Sequence, residues 1–591
     1  MKKNIMVVVL GIFLISYSGI SSGFCSESSI ELGSKVINIT KTFWIPPETY
    51  LTSRNELVYE LLKTETSGKN MPYNVDTIAS EDLNNAPSRN ITEAINYIPS
   101  VFLQQGGDFI QPSLPSINGH SSSYTKIVVD GIELNTQLDG TADLSLFNTG
   151  NIDRIEVIKG PLSPYWGSGL GGVIYIKTKE PVKEGLPYFV LDTSVGTYGT
   201  YRSYFESYFS ARGAYFLFIP QYSETRGYKE GGRAKRKDYF LKGKKDLTDI
   251  VSMDLTLGYK DAEIGEYNQE RLNRRTVLDT YTFYSGLRFN VDYSDYLSGN
   301  IFINGLRIKG SRSYYSLNPA SSNPYLVTPS LENRFGIRTE CSVKSINSVF
   351  SLEGNIDYDE MESTSFDNRK NVTTYYLATR YEYSFSDNLS SIFNIRYDHN
   401  CAFGGEYSLG TGIVMNNFSG GVLRITLSRD FNAPPLNFRF MDRPESFLKS
   451  NEDLSPEYAY TGQVSLEKLL FRNLFIQLSA YIQKIEDGII LVQDTDNFFV
   501  YRNHDSLSNK GLEANVIWNI YKKTILRFGA SYHDIISEEN DEVIEGQPRL
   551  KYTASLNTVL WKGLIVNMSG YCLLYTSDAA DELDGVDLGG R

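Results

Sequence analysis

Apolar and polar side chains alternate along much of the chain after residue 182. Residues 375–385 and 389–397 show this pattern best, with mainly aromatic and aliphatic residues at odd positions and mainly polar residues at even positions. Successive side chains of a strand point to opposite faces, so this period of two predicts a hairpin with a turn at 386–388. The polar face of the hairpin carries Arg380, Glu382, Asn394 and Arg396.

The connections between these predicted strands alternate in length. Segments 297–303 and 474–482 repeat the alternation, and the tight turn at 292–295 contrasts with a long polar loop at 309–333. Strands with one apolar and one polar face, joined alternately by short and long connections, are typical of transmembrane β-barrels. A large secreted all-β protein is the alternative, but it would not show a systematic difference in connection length.

The N-terminus predicts export from the cytoplasm. Two lysines, an apolar run at 5–15 and small residues at 21–23 are typical of a secretory signal peptide, here residues 1–25. Cys25 follows the bulky Phe24, which argues against lipidation of this cysteine. No later run reaches the roughly 18 apolar residues of a membrane helix, so any membrane integration must use strands.

Composition narrows the classes of function. The chain has 591 residues with 42 Tyr, 31 Phe and 41% hydrophobic residues, which suits a barrel with one face in lipid and one in water. The formal net charge of −13 argues against a nucleic-acid partner. Neither a disulfide framework nor a CxxC metal site is predicted from the spacing of Cys25, Cys341, Cys401 and Cys572.

Residues 127–178 are organised differently from the alternating part. Strand-like runs at 127–129 and 152–158 end in glycine turns, and a glycine-rich bend at 167–172 leads to a third strand. The bend fits the pattern GxGxxG, but a strand follows it where a dinucleotide-binding fold requires a helix. The segment therefore predicts a compact β domain that does not bind a nucleotide.

Three ordered runs in this segment, VVDGIEL (128–134), NIDRIEVIKGP (151–161) and YWGSGLGGVIYIKT (165–178), resemble the plug domain of TonB-dependent outer-membrane receptors. Later runs at 427–440, 451–467 and 501–516 look like the barrel motifs of that family in their usual order. The resemblance implies an all-β transmembrane barrel of the 22-stranded type with an N-terminal α+β plug domain in its lumen. The implied divisions are a signal peptide (1–25), a periplasmic segment (26–70), a plug (71–181) and a barrel (182–572).

The resemblance also implies a function and a location. It predicts a receptor in the outer membrane of a Gram-negative-type bacterium that imports a metal chelate, a cobalamin-like corrinoid or a ferric siderophore. Its implied partners are the chelate, outer-membrane lipid and the inner-membrane TonB complex that supplies energy. The tract LDGTADLSLF (138–147) is most similar to the cobalamin-receptor branch. A passive porin without a plug and a surface-binding protein such as an adhesin are the alternatives.

Two plug loops, 104–111 and 135–143, are predicted by the resemblance to form the ligand-reading apex. Ordinary turn chemistry of Asn, Asp and Gly is the alternative explanation of their composition. The side chains predicted to hydrogen-bond the chelate are Gln105, Asp108, Gln111, Asn135, Gln137 and Asp139. Aromatic rings of the 309–333 loop are predicted either to stack on the ligand or to belong to the membrane-interface girdle. These rings are Tyr314, Tyr315 and Tyr325.

A segment near the mature N-terminus is predicted to be the TonB box. Its β-prone residues could add as a strand to a partner's sheet edge. About 30 residues separate it from the plug, and an ordinary linker is the alternative. The segment consists of Lys35, Val36, Ile37, Asn38, Ile39 and Thr40.

No set of residues predicts catalysis or a resident cofactor. No Ser/His/Asp or Cys/His pattern with specific spacing occurs, so we expect a non-enzyme without a bound metal. Acidic clusters at 261–266 and 538–542 could order loops by binding calcium, and solvated charge is the alternative. The histidines are expected to play ordinary roles near turns and strand ends: His120, His399, His504 and His533.

The sequence departs from the family pattern in two places. Asn118-Gly119 stands where family plugs usually carry Arg-Gly, which implies that a buried plug–barrel ion pair is absent there. The barrel motifs stop near Tyr571, and the tail 573–591 loses alternation and begins with a run, LLYTSDAADE, that resembles translated sequencing adapter. We therefore expect a non-native tail and about three missing closing strands, because receptors of this type have 22.

Overall fold

The computed structural model of the protein describes the chain in fifteen ranges. They are residues 29–32, 35–38, 72–80, 83, 90–107, 109–160, 163–182, 187–364, 369–442, 448–471, 473–521, 524–538, 542–543, 548–560 and 565–574.

Near the N-terminus, β1 (Ser29–Leu32) and β2 (Lys35–Asn38) form an antiparallel pair in which Ile30 lies opposite Ile37. In its described residues, the domain that follows contains seven strands and two short α-helices. The strands are β3 (Asn74–Ala79), β4 (Val101–Gln105), β5 (Ser113–Ile117), β6 (Thr125–Val129), β7 (Ile132–Glu133), β8 (Ile152–Lys159) and β9 (Gly172–Thr178). The helices are α1 (Ile91–Ile95) and α2 (Ser163–Trp166).

Five strands of this domain form one sheet in the order β3-β8-β9-β6-β7, so β3 is an edge strand that pairs only with β8. Among the described strands of this domain, only β6 and β9 run parallel, and β4 and β5 form a separate pair. Gly172 has a φ of +147° where β9 begins, and a Cβ there would lie 2.5 Å from the carbonyl oxygen of Ile158. The glycine-rich bend is therefore needed for β9 to approach β8, and a strand follows it, as predicted.

A single large sheet contains the rest of the described strands, arranged in sequence order from β10 to β30. They are β10 (Tyr188–Val195), β11 (Tyr201–Ala211), β12 (Ala214–Thr225), β13 (Ala234–Asp246), β14 (Val251–Gln269), β15 (Arg274–Ser294), β16 (Leu297–Ser316), β17 (Leu326–Lys344), β18 (Ser348–Ser363), β19 (Lys370–Ser386), β20 (Leu389–Asn400), β21 (Gly404–Phe418), β22 (Gly421–Asn432), β23 (Leu448–Lys449), β24 (Glu457–Leu470), β25 (Leu474–Gln493), β26 (Phe499–Tyr521), β27 (Thr524–Ser537), β28 (Glu542–Val543), β29 (Leu550–Val559) and β30 (Ile565–Leu574).

Antiparallel neighbours build this sheet, and only the short β23 pairs in parallel, with β26. Two of its 21 strands, β23 and β28, have two residues each, which leaves 19 longer strands in the described chain. The predicted total of 22 strands stays a prediction. A helix, α3 (Leu436–Phe440), lies in the connection after β22. Among the described residues, no helix is long and apolar enough to cross a membrane.

The predicted hairpin at 375–397 is confirmed by β19 and β20. Tyr375 lies opposite His399, and the two strands are joined at residues 387–388. On the outer face the side chains are exposed, for example Leu377 at 56% and Phe393 at 47%, whereas Arg396 on the inner face is buried. The inner faces of these strands therefore surround the plug, and the outer faces form an apolar surface.

The connections alternate in length, but one predicted loop is much shorter than expected. Short turns such as 295–296 and 419–420 lie at one end of the sheet, and the connection between β22 and β23 lies at the other. The predicted loop 309–333 is wrong in extent, because Lys309 pairs with Leu331 and Tyr314 pairs with Leu326, which leaves only 317–325. Continued pairing satisfies the backbone donors and acceptors of this polar stretch, which lacks the apolar alternation that marks strands in the sequence.

Candidate ligand-binding site

Buried charged side chains fasten the plug to the inner face of the large sheet. Lys159, at the end of β8, donates to Asp76 of β3 and to Glu513 of β26, and only 1% of its side chain is exposed. Burial alone would lower the pKa of Lys159, but the two carboxylates raise it above its usual value. This three-residue group, the Lys159 triad, joins the edge strand of the plug sheet to the barrel.

Basic side chains of the barrel hold other parts of the plug, mainly by donating hydrogen bonds to backbone carbonyl oxygens of the plug. Arg236 donates to the carbonyl oxygen of Ser145 and to the side chain of Asn148. Arg334 donates to the carbonyl oxygen of Asn135 at 3.2 Å, and Lys551 donates to that of Ile98 at 3.1 Å. These contacts distribute the plug's attachment around the sheet.

The plug–barrel contact at Asn118 is neutral, as its replacement of the usual arginine implies. The carbonyl oxygen of Asn118 accepts from the Tyr481 hydroxyl at 3.2 Å and from Asn509 Nδ2 at 3.1 Å. His120 Nε2 lies 2.9 Å from Asn509 Nδ2, and His533 Nδ1 lies 2.8 Å from the Tyr481 hydroxyl. Nothing in the sequence indicated that these two histidines would lie in the same hydrogen-bonded group. Plug–barrel ion pairs form elsewhere, between Lys159 and Glu513, Lys179 and Glu206, and Asp130 and Lys242.

We predict that acidification weakens plug docking through His120. Burial lowers the pKa of His120 from 6.5 to about 4, so the undocked histidine takes up a proton that the docked one does not as the pH falls from 6.5 towards 4. The contribution of His120 to the free energy of plug docking is then fully present above pH 6.5, and up to about 3 kcal/mol of it is lost as the pH falls towards 4. Hydrogen exchange of plug amides at pH 7 and pH 5 measures this loss.

The matched variant for this prediction is His120→Gln, whose side-chain oxygen can still accept from Asn509 but does not titrate. We expect the pH dependence of plug protection to become smaller in this variant. An unchanged pH dependence would show that another titratable group, such as the neighbouring His533, accounts for it.

The first predicted apex loop, 104–111, lies against the connection between β12 and β13. Gln105 is exposed, whereas Gln111 is buried and its amide donates to the carbonyl oxygens of Gly265 at 2.7 Å and Gly232 at 3.3 Å. Asp108 lies outside the described residues. Gln105 is therefore free to face a ligand, and Gln111 ties the loop to the barrel. Ligand contacts by these residues stay a prediction.

The second predicted apex loop, 135–143, lies beside the connection that contains α3. Asn135 is buried and donates to the carbonyl oxygens of Thr125 and Gly140, both at 2.8 Å, so it shapes the turn. The backbone nitrogen of Gln137 donates to the Glu332 carboxylate, which leaves its half-buried side chain for other contacts. Asp139 is exposed and accepts from Asn437. Gln137 and Asp139 thus offer polar atoms at the plug surface.

Of the three predicted aromatic residues, only Tyr325 lies in a connection. Tyr314 and Tyr315 belong to the end of β16. Arg274 lies over the Tyr314 ring at 5.3 Å and Arg275 over the Tyr315 ring at 4.5 Å. Tyr325 is 63% exposed, and its ring centroid lies 6.4 Å from that of Tyr314. Stacking on a ligand stays a prediction for these residues.

Two further predicted features can be located. The residues Lys35 to Asn38 of the predicted TonB box form β2, and Ile39 and Thr40 lie outside the described residues. The acidic cluster 261–266 lies on β14 and not on a loop. Two of its carboxylates form ion pairs, Glu263 with Lys235 at 2.7 Å and Glu266 with Arg312 at 2.8 Å. No cluster of three or more metal-ligating side chains occurs in the described parts of the chain. The expectation of solvated charge, with calcium binding as its alternative, stays a prediction.

A group of residues that the sequence reasoning missed lies next to the first apex loop. Tyr228 and Lys229, in the connection between β12 and β13, contact Tyr267 of β14. The Tyr267 ring covers Gly107, where an added Cβ would lie 2.5 Å from the ring. The only sequence signal was a basic, aromatic and glycine-rich connection, RGYKEGGR (226–233). Nothing in the sequence related it to the plug.

One cavity between plug and barrel is small. It has a volume of 150 Å³ and is lined by plug residues such as Lys126, Glu133 and Gln137 and by barrel residues such as Arg334, Arg338 and Arg396. Sites for drug-sized ligands measure roughly 300–1,000 Å³. This cavity is therefore smaller than the usual site of a drug-sized ligand.

The fold defines a class of protein: a β-barrel whose lumen is filled by a separate plug domain. Two sequence families match the two parts. Residues 67–173 match the family described as "TonB-dependent Receptor Plug Domain". Residues 186–588 match the family described as "TonB dependent receptor-like, beta-barrel". The chain belongs to the TonB-dependent receptor family.

Individual relatives agree with this assignment. The chain is 27% identical over 433 residues to the Vitamin B12 transporter BtuB of Vibrio vulnificus (strain YJ016). The aligned region covers 68% of this chain and 65% of the relative. The chain thus matches less than two thirds of the length of this curated relative.

Among solved structures, a mutant of the ferric enterobactin receptor PfeA from Pseudomonas aeruginosa matches with a TM-score of 0.70 at 15% identity. The superposed region covers 84% of this chain and 85% of the PfeA chain. The siderophore receptor PirA from Acinetobacter baumannii matches with a TM-score of 0.69 at 14% identity, over 87% of this chain and 86% of the PirA chain. These two similarities establish the fold.

Proposed function

We propose that the protein is an outer-membrane receptor that binds a metal chelate above its plug and imports it into the periplasm with energy from the TonB complex. The observation that carries this proposal is the filled lumen. A plug held by buried ion pairs, with a cavity of only 150 Å³ beside it, prevents passive diffusion of a large solute. Import therefore requires energy to remodel the plug, which separates this function from a passive porin.

The chemistry of the apex favours a corrinoid as the chelate. The two apex loops, 104–111 and 135–143, contain amides, hydroxyls and three aspartates but no lysine or arginine. Like charges that are brought together across a binding site oppose association. A corrinoid, whose central metal is cationic and whose rim carries amides, complements these loops better than a trianionic ferric tricatecholate does. The similarity to a vitamin B12 transporter supports the same choice.

A ferric siderophore is the second candidate. It is favoured by the aromatic and basic side chains at the mouth, in particular Lys229 between two tyrosine rings. Aromatic rings and a cation provide surfaces for the flat, electron-rich rings of a catecholate.

Equilibrium binding to purified protein separates the candidates. The ligands are cyanocobalamin and a panel of ferric catecholate and ferric hydroxamate siderophores. We expect saturable binding of cyanocobalamin with a dissociation constant below that of every siderophore. Tighter binding of a siderophore would replace the corrinoid, and binding of none of these ligands would contradict the proposed receptor function.

We predict that the double variant Gln137→Ala/Asp139→Ala binds the chelate more weakly by about 1–3 kcal/mol, because it removes two hydrogen-bonding groups from a site that the ligand desolvates. Titration of cyanocobalamin into the purified variant measures the change. Asp139→Asn is the matched control, since it keeps the size and one acceptor oxygen of the aspartate. Unchanged affinity of the double variant would remove this loop from the binding site.

A further inference from the structure

Lys229 lies at the mouth of the barrel between two tyrosine rings. Its Nζ is 5.5 Å from the centre of the Tyr228 ring and 5.8 Å from that of the Tyr267 ring. The two rings meet edge to face with centroids 5.1 Å apart. Lys229 is exposed and has no ion-pair partner among the described residues. Its ammonium group is thus positioned by aromatic contacts and available to an anion from outside.

The plug apex contacts Tyr267, one of the two rings beside this lysine. The Tyr267 ring packs on Gly107 of the first apex loop, so closely that a side chain at Gly107 would overlap it. Gln111 of the same loop donates to the carbonyl oxygens of Gly232 and Gly265, which flank the two tyrosines along the chain. The first apex loop is therefore held against the connection that carries Lys229 at two points, Gly107 and Gln111.

Charge is unevenly distributed around the mouth. The connection 226–233 carries Arg226, Lys229 and Arg233 against one acid, Glu230. The apex loops contain only acids as charged residues, and the connection 494–498 contains two aspartates and no basic residue. Arg233 is paired with Glu224 at 3.2 Å. A ligand that rests on the apex and carries an anionic group at one edge would be oriented with that edge towards Lys229.

We propose that Lys229, Tyr228 and Tyr267 form a subsite that binds an anionic oxygen group at the edge of the chelate. This inference rests on the proposed function, because it assumes a chelate above the plug. In a complete corrinoid the group is the phosphodiester that links the corrin ring to its nucleotide. Charge-assisted hydrogen bonds to phosphate oxygens are roughly twice as strong as neutral ones, and the two rings hold the lysine in place before the ligand arrives.

A comparison of two corrinoids tests the subsite. Cyanocobalamin carries the phosphodiester, whereas dicyanocobinamide lacks the phosphate and the nucleotide. Lys229→Met keeps the length of the side chain and removes its charge. We expect the dissociation constant for cyanocobalamin to rise about tenfold in this variant, while that for dicyanocobinamide is unchanged. The charge-preserving Lys229→Arg is expected to bind cyanocobalamin like the wild type.

Lys237→Met is the matched control, because Lys237 is an exposed lysine on β13 whose neighbour on β14 is Asp261, away from the apex. It is expected to change neither affinity. An equal loss for both corrinoids in Lys229→Met, or no loss for either, would overturn the subsite.

The wild-type protein separates this inference from the proposed function. Failure of the wild type to bind any chelate contradicts the function itself. If the wild type prefers a ferric tricatecholate, the anionic oxygens are those of the siderophore, and Lys229→Met is then expected to weaken that ligand about tenfold. An unchanged tricatecholate affinity in that case would overturn the subsite.

Discussion

Replacement of Lys159 by methionine is expected to loosen the plug by about 3–5 kcal/mol, because it leaves two carboxylates in the plug–barrel contact without their shared cation. The side chains of Asp76 and Glu513 are only 17% and 6% exposed, so water cannot replace the ammonium group efficiently. The effect should be largest in β3, which pairs with no plug strand other than β8. Hydrogen exchange of the β3 and β8 amides in the purified protein measures it.

The control for this prediction removes all three charges of the Lys159 triad. Lys159→Met combined with Asp76→Asn and Glu513→Gln is expected to regain much of the lost protection, because neutral amides can pair with each other when the cation is absent. If protection in the single variant equals that of the wild type, the triad does not fasten the plug.

Replacement of Ile37 by proline is expected to abolish uptake and to leave chelate binding intact. Proline removes a backbone donor, so a strand that contains it cannot add to the edge of a partner's sheet. In the structure Ile37 belongs to β2, which pairs with β1 along one edge only among the described strands. Its other edge forms no strand pair in the described chain, although β2 lies near β10, and it is the edge that we expect a partner such as TonB to use. Uptake by cells and ligand binding to their outer membranes provide the two measurements.

Two variants control for general damage to the N-terminal segment. Ile37→Val keeps the backbone donor and is expected to transport normally. Ile30→Pro disrupts β1, opposite Ile37, without altering the predicted box, and is also expected to transport. Normal uptake by Ile37→Pro would show that the segment is an ordinary linker, and loss of uptake in Ile30→Pro would assign the role to the whole hairpin.

The sequence contained most of the fold. A period of two in residues 375–397 is enough to predict the hairpin and the faces of its side chains, because alternation is a local property of a strand. The extent of β16 and β17 was not predictable, since Tyr314, Tyr315 and their neighbours are polar and aromatic on both faces. Their strand conformation depends on pairing with a partner strand, which no local pattern reveals.

The candidate site was less predictable than the fold. Polar residue types identified the two apex loops, but they could not distinguish Gln105, which is exposed, from Gln111 and Asn135, which are buried in contacts with the backbone. That distinction depends on contacts with residues far away in the sequence. Lys159 and Glu513, for example, are separated by 354 positions. Lys229 was not predicted for the same reason, because only the folded chain places the Tyr267 ring between Lys229 and Gly107.

Energy-dependent uptake of cyanocobalamin is the decisive measurement for a receptor that imports a corrinoid with energy from TonB. The protein is expressed in a Gram-negative host that lacks its own corrinoid receptor, and accumulation of radiolabelled cyanocobalamin is measured with and without host TonB and with and without a protonophore. We expect surface binding under all conditions and accumulation only when TonB and the proton gradient are both present. Accumulation that persists without TonB and in the presence of the protonophore would contradict this expectation.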